Sequence, residues 1–204
     1  MLPERTVPDH PEVQVLEHDV DHPAEYTWHT DLSWHPTPPL GAVLLARTLP
    51  PTGGDTMFAD MALAHAGLSD RMQAYLGGLM AVHDRTPQLV ARALPASVID
   101  EFRSRFPPVE HPVVRTHPET GAPTVFVNPA FTTRLVDVPR RESDQILTFL
   151  YALTAVPEHQ CRVTWSEGTM VMWDNRVVQH YAVSDYWPHR RVMERVVLAG
   201  DRPY

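Results

Sequence analysis

The chain of 204 residues has one cysteine, Cys161. A lone thiol cannot close an intramolecular disulfide, so packing and hydrogen bonds must hold the fold, and a reducing cytoplasm is the expected setting. Cys161 itself lies in an apolar strand-like run and is expected in the core. Long apolar runs are also missing. None approaches the roughly 20 residues that span a bilayer, and the start, MLPERTVPDHPE, has no segment of signal-peptide type. No membrane partner is expected. A basic excess is absent too: 17 Lys plus Arg stand against 25 Asp plus Glu, a formal net charge of −8. With no basic stripe to follow a phosphate backbone, nucleic acid is not an expected partner. Glycine is scarce beside proline, 9 against 21, which predicts fixed turns and short elements rather than long helices.

Hydrophobic residues at 43% and charged residues at 21% match ordinary globular proteins and give no reason to expect disorder. The length suits one domain with a real core. Twelve histidines favour metal chemistry without locating it.

Strand-like alternation runs across Tyr26 to Ser33, which would put His29 and Asp31 on one face. GAVLLARTL, Gly41 to Leu49, reads as a buried strand, and PPTGGDTMF after it as a turn followed by a short extended piece. Asp60 to Gly78 has helical spacing, with Ser69 capping a second short helix that ends at Gly77 and Gly78. Gln88 to Phe106 predicts a helix interrupted by Pro95. His111 to Asn128 predicts a hairpin around Pro-Glu-Thr-Gly. Arg141 to Val156 sets Ile146, Phe149, Leu150 and Leu153 on one helical face, to lie against a sheet. Strand signals return in QCRVTWS, TMVMWDN and RRVMERVVL. Many short strands with a few helices between them fit a mostly β barrel or sandwich better than alternating βαβ units.

The pair in TWHTDLSW is open to two readings, a hydrogen-bonded polar pair or two ligands of a metal. A third ligand is available in His180, just after TMVMWDN. Two imidazoles and one carboxylate on one face leave coordination positions open, the arrangement of non-haem Fe(II) oxygenases. In RRVMERVVL, Arg191, Met193 and Arg195 share a face if extended. Two same-facing guanidiniums among apolar neighbours require anionic partners, and Arg suits bidentate capture of a carboxylate or sulfonate. Thr56, in GGDTMF, could add a hydroxyl to such a site. Alternatively, the final strand is a solvated edge and Thr56 is structural.

The blocks WHTDLSWHPTPP, LPPTGGDTMFADM, HPVVRTHPETG with FVNPAFTTR, and WDNRVVQHYAVSDYWPHRRVMERVVLAGDRP resemble, in order, the taurine dioxygenase family of Fe(II)/2-oxoglutarate-dependent oxygenases, which includes herbicide-cleaving and alkyl-sulfate-cleaving members. The resemblance runs from about Pro11 to the C-terminus. It implies a double-stranded β-helix, a jelly-roll-like barrel with helices outside. It implies iron held by His29, Asp31 and His180, and 2-oxoglutarate gripped by Arg191 and Thr56. Dioxygen is the second co-substrate, and succinate and CO2 are products. It implies Arg195 on the acidic head of a small-molecule substrate, with Leu32 and Phe131 lining its pocket. His35 is not expected as a fourth ligand, because it would block the co-substrate. Trp173 and Asp174 are expected to set a turn and wall, and His65, His111 and His117 to be surface or structural. A homo-oligomer is left open.

Relatives carry several dozen further residues ahead of the first block, so the resemblance implies a taurine-dioxygenase-like catalytic domain over 1–204 that lacks the usual N-terminal portion, including a pocket histidine and tyrosine. Glu25 stands where taurine-cleaving relatives have an asparagine. A carboxylate there would repel a sulfonate unless it pairs with a substrate ammonium. The shortened beginning also motivates a second reading, a non-catalytic metal-binding remnant. A third, a zinc hydrolase using the same triad, gives Arg191 and Thr56 no role.

Overall fold

The computed structural model describes residues 5–18 and 27–204. The expectations that fall on Tyr26 and Glu25 lie outside them. Thirteen strands and five α-helices are formed by the described residues. The first sheet contains β1 (Thr6–Val7), β2 (His10–His18), β3 (Gly41–Thr48), β11 (Met170–Asp174) and β13 (Arg191–Leu198), ordered β1-β2-β13-β3-β11. The second contains β4 (Thr56–Asp60), β10 (Gln160–Val163) and β12 (Val178–Ala182), ordered β10-β4-β12. All these pairings are antiparallel. Between the two sheets Ala42, Leu44, Ala46 and Met193 pack against Phe58, Trp165 and Trp173. Small residues on the first sheet make room for Phe58 from β4, for Trp173 from the neighbouring β11 and for Trp165 just after β10, which lets the layers close at core density. This is the jelly-roll-like double-stranded β-helix that the residue pattern and the resemblance imply.

The remaining elements cover one end and one side. They are α1 (Met61–Ala66), α2 (Asp70–Leu76), β5 (Met80–His83), α3 (Thr86–Ala91), α4 (Ala96–Arg105), β6 (Val109–Pro112), β7 (Val114–Thr116), β8 (Pro123–Val125), β9 (Thr132–Leu135) and α5 (Arg140–Ala152). Asp60 caps α1 by accepting from the backbone N–H of Ala62 and Leu63, and the Ser69 hydroxyl caps α2 at Met72 N–H. Pro95 separates α3 from α4, and β7 pairs with β8 as the expected hairpin. β6 instead joins β5 and β9. No helix among the described residues is long and apolar enough to cross a membrane.

Four expectations need correction. The Tyr26–Ser33 strand reduces, over its described part, to a single bridge at His29 followed by turns. His180 does come after the strand in TMVMWDN, β11, but it lies in the middle of the next strand, β12, opposite Phe58, rather than at a strand end. On α5 it is Leu147 and Leu150 that are buried, while Phe149 is 44% exposed. Residue 149 lies about 200° around the helix from 147, on the solvent side. Cys161 is exposed, because β10 is an edge strand flanked only by β4.

Candidate active site

His29 and His180 exchange both backbone hydrogen bonds, His29 N–H to His180 O at 3.0 Å and His180 N–H to His29 O at 2.8 Å. Directly opposed residues of an antiparallel pair point the same way, so the two imidazoles lie 4.1 Å apart between centroids. Asp31 arrives from the turn rather than from strand alternation. His29 Nε2 lies 3.7 Å and His180 Nε2 3.9 Å from Asp31 Oδ1, and all three residues are buried. After Asp31 the backbone enters the left-handed region at Leu32, φ 49°, a conformation that non-glycine residues hold only when the surroundings impose it.

The donor set fits a transition metal. His29 Nδ1 is 2.7 Å from Thr27 O, so its N–H points at a carbonyl and Nε2 turns its lone pair toward Asp31. Burial, with His29 beside it, lowers His180 to about 3, leaving the ring neutral and able to ligate. Burial alone would raise the Asp31 carboxyl, but His180, Arg195 and His29 outweigh it and hold the group below the usual carboxylate range. Since His180 is uncharged at neutral pH, the lasting cation there is Arg195, whose Nη1 donates to Asp31 Oδ1 at 3.4 Å. Asp31 Oδ2 is buried without a hydrogen-bond partner, an orphaned acceptor as a ligand position requires.

A ring of buried polar groups holds this turn. Asn128 Nδ2 donates to Ser33 Oγ at 2.9 Å, His83 Nδ1 lies 3.0 Å from the same hydroxyl, and His83 Nε2 lies 3.4 Å from Thr132 Oγ1. Asn128 N–H closes the ring on Thr132 Oγ1 at 3.0 Å, and Asn128 Oδ1 accepts from Phe131 N–H at 2.9 Å. Burial, with His111 nearby, holds His83 well below the usual imidazole range. A neutral ring has one donor and one acceptor, so one hydroxyl must donate to it and the other accept. The turn bearing Asp31 and the loop bearing Phe131 are thus locked to one another.

On the other side, Gly53 and Gly54 turn the chain at φ 77° and 74°, and a Cβ on Gly54 would meet the Arg191 side chain at 3.3 Å. Thr56 follows, with Oγ1 accepting from Trp165 Nε1–H at 3.1 Å and from Arg191 Nη2 at 3.4 Å. The Arg191 guanidinium sits 5.8 Å above the Trp165 ring. Arg191 is 3% exposed, its Nε has no acceptor, and among the described residues no carboxylate lies within ion-pair distance of it. Among the described residues Asp55 and Tyr186 act on it only from beyond ion-pair distance, and a buried cation so weakly compensated is costly, so the position suits an external anion.

Both subsites open into one cavity of about 340 Å³. Every sequence-predicted site residue lines it: His29, Asp31, Leu32, Thr56, Phe131, His180, Arg191 and Arg195. Arg191 and Arg195 do share a face, while Glu194 between them points outward to Arg47 at 2.7 Å. Trp173 forms a wall, 4.9 Å from the His180 ring, and Asp174 sets the next turn by accepting from Arg176 N–H. His35 does not line the cavity, and its Nδ1 is tied to Thr37. His65, His111 and His117 are buried rather than on the surface. His117, Glu119 and Asp174 also cluster like metal ligands, but Arg176 already supplies the cation, at 2.8 Å from Glu119 and 2.7 Å from Asp174.

Sequence reasoning missed several contributors. Leu16 and His18 line the cavity from β2, which nothing local marks as a site strand, and Gln14 of the same strand holds Arg195. Gln88 of α3 and the residues that cap it, Arg85 and Arg92, line the cavity at the spacing of successive helical turns, a period that was readable.

Comparison with known proteins gives one consistent result. The family model described as "Taurine catabolism dioxygenase TauD, TfdA family" matches residues 2–197. The chain is 33% identical over 186 residues to the alkylsulfatase of Acinetobacter baylyi, covering 86% of this chain and 57% of that protein. It is 36% identical over 180 residues to the alpha-ketoglutarate-dependent sulfonate dioxygenase of Saccharomyces cerevisiae, covering 86% and 42%. A crystal structure of a taurine dioxygenase from Burkholderia xenovorans superposes with a TM-score of 0.82 at 34% identity, covering 97% of this chain and 67% of that one. The chain therefore spans about half the length of the curated relatives it matches.

Proposed function

From the premise that the chain belongs to the TauD, TfdA family of taurine catabolism dioxygenases, we propose that it is an Fe(II)- and 2-oxoglutarate-dependent dioxygenase. It hydroxylates a small anionic substrate of the sulfonate or alkyl sulfate type, forming succinate and CO2. The observation that carries this reading is the pairing, in one cavity, of a buried two-histidine, one-carboxylate donor set with a buried Arg191 that has no carboxylate within ion-pair distance among the described residues. A zinc hydrolase would need the first and leave the second without purpose.

His29, Asp31 and His180 would hold the iron through their converging donor atoms. Fe(II), when bound, supplies the redox chemistry that activates dioxygen and couples it to 2-oxoglutarate decarboxylation. Arg191 and Thr56 hold the far carboxylate of the co-substrate. Thr56 does so as a donor, because Trp165 and Arg191 already fill its acceptor positions. Arg195 takes the anionic head of the substrate, while Leu32 and Phe131 exclude water around the carbon to be oxidised. Hydroxylation at a carbon bearing sulfonate or sulfate then releases the inorganic acid.

The test is anaerobic addition of Fe(II) and 2-oxoglutarate, which should give a weak visible charge-transfer band. Sulfonates, alkyl sulfates and aryloxy acids are then scored by 2-oxoglutarate-dependent succinate formation. A folded protein that gives neither band nor succinate would refute the reading.

A further inference from the structure

Arg195 and Gln14 are direct cross-strand partners in the β13–β2 ladder. The Gln14 amide oxygen accepts from two nitrogens of the guanidinium, Nε at 3.0 Å and Nη2 at 2.8 Å. Nη1 turns the other way, to Asp31 Oδ1 at 3.4 Å. A guanidinium has five N–H groups. Three are engaged here, leaving one each on Nη1 and Nη2, the pair that can grip two oxygens of one oxyanion.

The chemistry of the orienting partner decides the charge. A carboxylate in place of Gln14 would make the same two bonds and neutralise the arginine, whereas a neutral amide fixes the fork and leaves the charge standing. Asp31 is the one carboxylate within ion-pair distance of Arg195 among the described residues, and its negative charge belongs to the proposed iron site. We propose that Gln14 is a positioning residue that sets the preference for an anionic substrate. It orients Arg195 toward a sulfate, sulfonate or carboxylate head without cancelling its charge. The inference rests on the reading of Arg195 given above.

Hexyl sulfate is the probe, measured by calorimetric titration of the protein with Fe(II) and 2-oxoglutarate in the absence of oxygen, and by KM in air. Gln14→Glu keeps both hydrogen bonds and adds a charge. A carboxylate about 6 Å from the bound anion, in an effective dielectric of about 20, weakens binding on the order of a hundredfold. Gln14→Met removes both hydrogen bonds to Arg195 without adding a charge and should weaken binding about tenfold. The KM for 2-oxoglutarate should stay within about twofold in both. If Gln14 merely supports the strand, the order reverses, because glutamate retains the bonds that methionine loses; that order would overturn the proposal, as would equal losses for hexyl sulfate and 2-oxoglutarate. Should Gln14→Glu not fold, Gln14→Asp carries the same charge comparison. Unchanged binding in both variants, alongside loss in Arg195→Ala, would overturn the role of Gln14 alone. Full binding by Arg195→Ala, or none by the unaltered protein, would overturn the reading beneath it.

Discussion

Replacing Thr56 by valine removes a hydroxyl while conserving shape. Thr56 Oγ1 accepts from Trp165 Nε1–H at 3.1 Å and lies 3.4 Å from Arg191 Nη2. With valine, two buried N–H donors lose their acceptor. An unsatisfied buried donor costs about 1–3 kcal/mol. Counting the Trp165 bond fully and the long Arg191 contact as minor, the variant should lose about 2 kcal/mol, which lowers Tm by about 4–8 °C in a domain of this size. Binding of 2-oxoglutarate should weaken about tenfold, since one charge-assisted hydrogen bond to its carboxylate disappears. Thr56→Ser keeps the hydroxyl and should recover most of both losses. The assays are thermal unfolding of the metal-free protein and the 2-oxoglutarate dependence of succinate formation. A valine variant within about 1 °C of the parent and with an unchanged KM would refute the reasoning. A serine variant as impaired as valine would shift the role from the hydroxyl to the methyl group.

Three further changes test other parts of the site. Asn128→Leu leaves Ser33 Oγ without one donor and Phe131 N–H without its acceptor; it should cost about 2–4 kcal/mol and weaken Fe(II) binding several-fold, read by denaturant unfolding and by metal titration. Arg191→Met removes a buried cation that has no carboxylate partner among the described residues, so the protein without co-substrate should become more stable while 2-oxoglutarate binding is lost; a fall in Tm would contradict the assignment of that cavity to an external anion. Burial raises the Asp174 carboxyl, but Arg176 and His117 outweigh it and lower the group to about 2 from an ordinary 3.8. A depressed folded pKa gives stability that is fully present above the unfolded value and is lost as pH falls through the folded one. The stability difference between the parent and Asp174→Asn should therefore be constant above about pH 5 and narrow below pH 3.8, measured by urea unfolding; a difference that persists undiminished toward pH 2 would show that the charge is not what matters.

The residues of the candidate metal site could be picked out in the sequence, but the reason for their convergence could not. Period-two alternation would have joined His29 to Asp31 on a strand; instead a single antiparallel bridge joins His29 to His180, and a turn with left-handed Leu32 delivers Asp31. That turn depends on Ser33, whose partners His83 and Asn128 lie 50 and 95 residues away. No local window contains such contacts. The paired arginines were legible because alternation along β13 is a local property, and Glu194 facing away between them bears it out. The partner that orients Arg195 was not legible, because strand register across a β2–β13 ladder is fixed by the whole sheet. His180 does line the cavity, but the strand that carries it was not legible, since Asp174–Asn175–Arg176 is a turn that returns directly into β12. The pattern has a physical basis: chemistry-bearing residue types are visible one at a time, whereas the groups that aim them are defined by pairing across long separations. Substitutions in the aiming groups, Gln14, Asn128 and Trp165, should therefore alter affinities in graded steps, while substitutions in His29, Asp31 or His180 remove one of the three donors that converge on a single point.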